Sequence, residues 1–368
     1  MPRILFVHHA SPAGGAENSL LDLVEALDDN WEPIVACPGG GELAARLEDA
    51  GARVEPLALT RFKRTACPLA LARYFFAWRR GVQALVKIIK NADVDIVHSN
   101  STTAHLYGGA AAGRCGMPAV WHVRDIAVPG IAKLILPKAS ACVAISQFAA
   151  DCILSSAGAK AEVIYNGVDL ELFHPGDGPP ENPAVAMIGQ LVPWKNHSDF
   201  LRAAAKVHGA APGARFLIVG DDLFGDHPGY KEKLAALAEE LGIGDAATFM
   251  GRRSDVPELL RSVSVLVLPS RREPFGRVVV EAMASGVPVA AYREGGPAEI
   301  ILHEKTGLLV PPGDVAQLAS AVMRLLRNPT EAKEFGEAGR ARAAEVFDRR
   351  QTARRIAAVY SKLLETRG

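Results

Sequence analysis

Cysteine is scarce and unpaired in this chain: five in 368 residues, none in a C-x-x-C spacing and none beyond Cys152. That excludes a disulfide framework and a zinc ribbon, and it fits a reducing compartment. Net charge is missing altogether, with 41 basic and 41 acidic residues, so no overall field argues for nucleic acid. No apolar run approaches the roughly 18–20 residues of a membrane span. The opening MPRILFVHH turns polar by residue 8, too soon for a signal peptide. We therefore expect a cytoplasmic protein, or one lying on the inner face of a membrane. Absent too are the G-x-S-x-G elbow, the P-loop, the H-E-x-x-H helix and, after the first apolar run, the G-x-G-x-x-G turn. Those gaps remove the commonest hydrolase, ATPase, zinc-protease and dehydrogenase readings.

What the chain does have is apolar residues, 49% against 22% charged, in an alternating order. At 368 residues it exceeds one ordinary core, so two domains are expected. Short β-rich runs near 3–7, 33–36, 53–57, 95–98, 119–123, 141–145 and 161–165 are separated by helical patterns. Then HPGDGPPENP, residues 174–183, crowds out any periodicity with Pro and Gly and reads as a linker. Alternation resumes with strands near 184–188, 214–219, 247–250, 263–268, 287–291 and 308–310. Such an order builds parallel, doubly wound sheets. The expectation is α/β, with two Rossmann-like domains facing a cleft. The tail from 331 to 366 is helical with no strand after it, so its last helix is expected to pack away from the sheet it follows. The domains are then 1–173 with about 350–368, and 184–349.

The most informative stretch is LPSRREPFGRVVVEAMASGVPV, residues 268–289. An apolar run ends in a loop carrying Glu273, Phe275 and Gly276, and a helical pattern with Glu281 follows. A strand, a glycine loop and a helix N-terminus together form a cradle for phosphate. Two carboxylates eight residues apart suit hydroxyls on either side of the phosphates, and were the span helical they would lie about 12 Å apart. Gly14 and Gly15 sit at a similar turn after the first strand. Lys195, in MIGQLVPWKN, follows another strand and can neutralise phosphate as a point charge. His122 lies in AVWHVRDI, with Arg124 and Asp125 at the exit of that run, and His98 ends a further one.

Two look-alikes are set aside. Asp93-Val-Asp95 resembles a metal-binding D-x-D but precedes its strand, at the wrong edge of the sheet. Gly242-Ile-Gly244 follows a helix and leads into a strand, the reverse of a dinucleotide turn. Residues 61–90 hold eight Lys/Arg and no acid, with Phe62, Tyr74, Phe75, Phe76 and Trp78 among them. That pattern fits either a core-packed helix with a solvated basic face or peripheral attachment to an anionic membrane.

Taken together, PAGGAE, YNGVDLELF, GQLVPWKN, EPFGRVVVE and EGGPAEIILHEKTGLLVPPGD resemble, in order, the retaining glycosyltransferases of family four, which have the GT-B fold. Glu273 and Glu281 match that family's E-x7-E signature. The resemblance implies that Glu273 contacts donor-sugar hydroxyls and Glu281 the ribose. It implies that the backbone of Phe275, Gly276 and Arg277 faces the diphosphate, with Lys195 neutralising it and Gly15 approaching from the first domain. His122 is then placed near the anomeric centre, and Arg252 beside the base. The family usually has arginine where this chain has Gln190; Arg124, Arg271 and Arg277 are the candidates to supply that charge. No metal and no cofactor is implied. The expected partners are a nucleotide-sugar, UDP- or GDP-linked, and a glycan or lipid-linked acceptor. The competing readings are a GT-B nucleotide-sugar 2-epimerase and a catalytically weakened nucleotide-sugar-binding protein.

Overall fold

The computed structural model describes residues 1–366 apart from 11–13, 63–64, 127–132, 134–135, 155–157, 177 and 179–181. Pro12 and Ala13 of PAGGAE, Lys63 and Arg64 of the basic stretch, and part of the 174–183 linker lie outside the described residues. The chain forms two units, Met1–Gly167 with Arg349–Gly368, and Val168–Asp348.

The first unit is built on a parallel sheet of β1 (Arg3–Val7), β2 (Glu32–Cys37), β3 (Arg53–Pro56), β4 (Ile96–Ser99), β5 (Ala119–Val123), β6 (Ala141–Ala144) and β7 (Glu162–Val163), in the order β3-β2-β1-β4-β5-β6-β7. The RILFV run has no polar alternation because both sheet faces are covered. Ile4 and Phe6 pack on one face with Leu20, Leu23, Ile356 and Tyr360. Leu5 and Val7 pack on the other with Val82, Leu85 and Ile89.

The second unit repeats the plan with β8 (Ala184–Ile188), β9 (Arg215–Val219), β10 (Ala247–Gly251), β11 (Val265–Leu268), β12 (Val289–Tyr292) and β13 (Gly307–Val310), in the order β10-β9-β8-β11-β12-β13. Every pairing in both sheets is parallel. Two doubly wound α/β units are what the alternating sequence called for. Strand order reverses between β1 and β4 and between β8 and β11. At such points the loops diverge to opposite faces and leave a crevice at the carboxyl ends of the strands.

The tail is two helices, Pro329–Val346 and Arg349–Glu365, broken at Phe347 and Asp348. The second returns to the first unit, where Ala353, Ile356 and Tyr360 enter the core and Thr352 Oγ1 donates to the Tyr165 carbonyl at 3.0 Å. Gly167 lets the two segments touch, since a Cβ there would lie 2.3 Å from Arg349 Cα.

The unit boundary falls earlier than the proline-rich stretch suggested. Residues 168–173, read with the first domain, pack in the second unit: Val168 N–H donates to the Phe347 carbonyl at 2.7 Å. The Arg340 guanidinium donates to the carbonyls of Phe173, Leu170 and Ala284. A short helix, Pro297–Ile300, also escaped the sequence reading, because four residues carry no periodicity.

Candidate active site

In the second unit the switch point brings together the loops after β8 and β11. The turn Pro193–Lys195 ends at Asn196, which takes a left-handed φ of 56°. Asn196 Nδ2 donates to the Pro269 carbonyl at 3.0 Å, and Arg271 N–H donates to the Trp194 carbonyl at 2.9 Å. These two bonds hold the Lys195 turn against the loop that carries Glu273. Lys195 Nζ then reaches Glu273 Oε2 at 2.5 Å. It also lies 4.5 Å from the centroid of the Trp194 ring, itself 42% exposed.

Glycine makes room for this arrangement. A Cβ on Gly220 would stand 1.8 Å from the Gly189 carbonyl oxygen, so the β8 and β9 exits cross at backbone contact. Gly295 and Gly296 lie so close beneath residues 273–275 that a Cβ on either would meet their backbone at 2.4 Å. The Gly296 N–H donates to the Glu273 carbonyl at 2.9 Å. The Glu273 loop is therefore fixed by backbone contacts from both neighbouring strands' exits.

Gly276, at φ 92°, caps the helix Arg277–Ala284. Since the helix begins only at Arg277, Glu273 is on the loop, and the 12 Å helical spacing does not apply. Within the helix Arg277 Nε reaches Glu281 Oε1 at 2.6 Å, an i,i+4 pair with both side chains nearly buried. The two glutamates are thus each matched by a cation, Lys195 for Glu273 and Arg277 for Glu281. Such a site has no net charge of its own, and its carboxylates keep lone pairs for hydroxyl donors. The helix N-terminus beside Gly276 adds a positive potential for anionic groups.

Of the other expected residues, Gln190 is half-buried after β8, and Arg252 is exposed after β10. Arg271 pairs with Glu294 at 3.2 Å. Arg124 donates to Asn166 Oδ1 at 2.6 Å in the first unit. Among Arg124, Arg271 and Arg277, the arginines expected to supply charge in place of Gln190, Arg277 is the one paired with Glu281. Asp95, set aside as a metal ligand, accepts the Arg3 backbone N–H at 2.8 Å at the amino edge of β4.

The first unit has its own polar cluster at the β1/β4 switch point, which the sequence reading largely missed. Gly14 caps and Gly15 opens the helix Gly15–Ala26, and the Gly14 N–H donates to Glu17 Oε2 at 2.9 Å. Glu17 Oε1 lies 2.8 Å from His8 Nε2, and His8 Nδ1 lies 3.2 Å from Asn100 Nδ2. Burial opposes ionisation of Glu17, yet its bonds to His8 and Gly14 hold it below the ordinary carboxylate range. Thr102 donates to Asp125, whose carboxyl burial pushes up. The signals were present: a histidine pair at a strand exit, and a glutamate at the third position of a helix.

His122 is 1% exposed in β5. Its Nδ1 lies 3.0 Å from His98 Nε2 and 3.3 Å from an Arg124 guanidinium nitrogen. Burial first, and then Arg124 and His98, hold its pKa well below the usual histidine value. The structure thus brings Lys195, Glu273, Phe275, Gly276, Arg277 and Glu281 to one switch point, and Gly14 and Gly15 to the other. His122 is buried within the first unit's sheet, on β5.

Models of known protein families match residues in both units. Residues 13–172 match the family model for Glycosyltransferase Family 4, and residues 171–342 that for Glycosyl transferases group 1. The D-inositol 3-phosphate glycosyltransferase of Mycobacterium marinum is 38% identical over 181 residues, 46% of this chain and 38% of the relative. That of Mycobacterium bovis is 31% identical over 282 residues, 68% of this chain and 58% of the relative. The chain thus spans 38% to 58% of the length of these curated relatives. HepE of Anabaena, solved in complex with UDP-glucose, superposes with a TM-score of 0.85 at 26% identity, covering 98% of this chain and 100% of that one. Two glycosyltransferase models meet near residue 171, where the chain passes from one Rossmann-like unit to the next. The chain therefore belongs to the family four glycosyltransferases and has their GT-B fold.

Proposed function

We propose that this chain moves a sugar from a nucleotide-diphosphate sugar to an acceptor hydroxyl with retention of configuration. The observation that carries the reading is the pair of ion pairs at the β8/β11 switch point, Lys195–Glu273 and Arg277–Glu281. The two glutamates bind hydroxyls, Glu273 those of the sugar and Glu281 those of the ribose. Lys195, Arg277 and the helix N-terminus after Gly276 take the diphosphate charge, without a metal. The bond from the anomeric carbon to the leaving phosphate oxygen breaks as the acceptor oxygen bonds to the same face of that carbon. The acceptor proton passes to the departing phosphate. Catalysis is then mainly electrostatic positioning. UDP is the favoured nucleotide, supported by the UDP-glucose complex of HepE. The first unit carries the acceptor side.

A panel of UDP- and GDP-sugars tests this directly. The matching donor is expected to raise the melting temperature in line with RT ln(1 + [L]/Kd) and to release nucleotide only once an acceptor hydroxyl is added. Epimerised donor without acceptor would replace transfer by epimerisation, and binding without release under any acceptor would leave a binding protein.

The acceptor is proposed to be a glycan or a lipid-linked molecule met at an anionic membrane surface. No helix among the described residues is long and apolar enough to cross a membrane. The helix Pro68–Asn91, however, buries only residues of its second half, Gly81, Val82, Leu85 and Ile89. Its first half leaves Leu69, Leu71, Phe75 and Phe76 between 51% and 77% exposed, flanked by exposed Arg73, Arg79 and Arg80. Apolar side chains ringed by basic ones lodge at the headgroup boundary, with about 1 kcal/mol for each basic residue at an anionic surface. Neutralising Arg79, Arg80, Lys87 and Lys90 together is expected to abolish co-sedimentation with phosphatidylserine vesicles. Equal sedimentation of parent and variant, or none by the parent, would refute the attachment.

A further inference from the structure

Five buried polar groups of the first unit form one hydrogen-bonded chain, and its proton directions can be assigned from donor inventory alone. Tyr360 Oη lies 2.7 Å from His98 Nδ1, and His98 Nε2 lies 3.0 Å from His122 Nδ1. An Arg124 terminal nitrogen lies 3.3 Å from that same His122 Nδ1, and the other donates to Asn166 Oδ1 at 2.6 Å. A guanidinium has donors and no acceptor. His122 Nδ1 is therefore the unprotonated, accepting nitrogen. His98 Nε2 must then carry a proton and donate to it as well. In a neutral ring that leaves His98 Nδ1 as an acceptor, so the Tyr360 hydroxyl donates. Both rings are neutral because burial, followed by the Arg124 charge, holds them well below the ordinary histidine range.

One consequence remains at the end of the chain. A neutral imidazole carries a single proton, so that of His122 sits on Nε2. This nitrogen is buried and has no hydrogen-bond partner among the described residues. Native structures leave few such donors, and each calls for an account, an unseen ligand oxygen being one. His122 is the penultimate residue of β5, toward the carboxyl end of the strand, the edge where α/β sheets take ligands.

We infer that Tyr360 and His98 are positioning residues that lock His122 as the Nε2–H tautomer, a neutral hydrogen-bond donor for an oxygen of the bound substrate. The inference rests on the transferase reading for the identity of that oxygen, but not for the tautomer. It gives the last helix a part in the site through Tyr360, 262 residues away from His98 in sequence. The same histidine acting as a proton-accepting base would need the opposite tautomer.

Two substitutions separate the two nitrogens. Glutamine places its amide N–H near the Nε2 position, and asparagine places its amide near Nδ1. His122→Gln is expected to keep kcat within about tenfold of the parent, although it disturbs the bonds to His98 and Arg124. His122→Asn, which preserves an acceptor for those bonds, is expected to lose about 100-fold or more. Tyr360→Phe should lower kcat about tenfold with donor KM within about twofold. Histidine-selective 15N spectra, assigned by the peaks lost in His122→Gln, should show a pyridine-type Nδ1 and a pyrrole-type Nε2 for His122. The reversed tautomer, or asparagine outperforming glutamine, would overturn the proposal. So would a Tyr360→Phe variant that melts earlier but keeps parental kcat and His122 shifts. The spectra need no turnover, so a parent that transfers no sugar would remove the transferase reading while the tautomer is still decided.

Discussion

Replacing Glu273 by glutamine is expected to lower turnover by on the order of 10² to 10³-fold, the range typical for one preorganised electrostatic group, with the fold intact. Glutamine keeps the shape and can still meet a hydroxyl, so what is lost is the negative charge beside a sugar that becomes cationic as its diphosphate departs. Glu273 is 6% exposed, and at that depth the field of a carboxylate is poorly screened. The substitution also releases Lys195, whose Nζ now shares itself with Glu273 Oε2 at 2.5 Å. Freed, it can give its full charge to the diphosphate. Donor affinity is therefore expected to hold or rise as kcat falls. Lys195→Met should do the reverse, weakening the donor and lowering the melting temperature, because Glu273 would be left buried and unpaired. A flexible lysine stem can carry its charge to water and a short glutamate cannot. Parental kcat in Glu273→Gln, under conditions that saturate donor, would show that this carboxylate is not in the site.

Mild acid is expected to unfold the first unit while the second survives. Burial lowers the pKa of His9 to about 4 and that of His105 to about 3, and lowers those of His98 and His122 well below the ordinary value. All four belong to the first unit. In the unfolded chain each would take up a proton near pH 6.5. Above that pH neither state binds the proton and folding is unaffected. Below it the unfolded state binds more, so stability is lost as pH falls toward the depressed folded values. A group in that window removes up to about 1.4 kcal/mol per pH unit, and all four act in the same direction. The second unit has one comparable group, His197, lowered to about 3 by burial and by Lys195. Trp194 is the single tryptophan of the second unit. Urea unfolding of Trp194→Phe, followed by fluorescence, therefore reports on the first unit alone. Its midpoint should fall steeply between pH 7 and 5.5; an unchanged midpoint would mean these histidines are solvated or already charged when folded.

Much of the architecture is legible because parallel sheets bury both faces. VAMI and VLVL show no polar alternation, and so declare β8 and β11 and the carboxyl ends at which open α/β sheets take ligands. The Arg277–Glu281 pair is equally readable, since helical spacing alone joins i and i+4. The Lys195–Glu273 pair is not: its partners are 78 residues apart, and only the crossing of Gly189 and Gly220 and the bonds to Pro269 and Trp194 bring them together. The resemblance placed both residues at the donor but did not foresee that they would hold each other. His122 was recognisable as a strand histidine near a sheet edge. Arg124 is two residues further along the chain, but His98, Asn166 and Tyr360 come from three other segments, so little that is local announces the network. The early unit boundary was hidden for a different reason. Proline and glycine mark where periodicity stops, whereas a boundary lies where contacts stop, and residues 168–173 are held by a helix more than 150 positions later.

The return of the helix Arg349–Glu365 to the first unit also orders the birth of the protein. A ribosome finishes Met1–Gly167 long before it reaches Ala353, Ile356 and Tyr360. At about 5–20 residues per second, synthesis of Val168–Asp348 takes about ten to forty seconds. Through that interval Ile4, Phe6 and Leu20 lack part of their cover, and the nascent first unit presents an apolar face that only the final helix seals. The second unit, contiguous in sequence, has no such wait. The half of the molecule made first is therefore completed last, and a chain stopped at residue 348 would carry a finished second unit on an unfinished first.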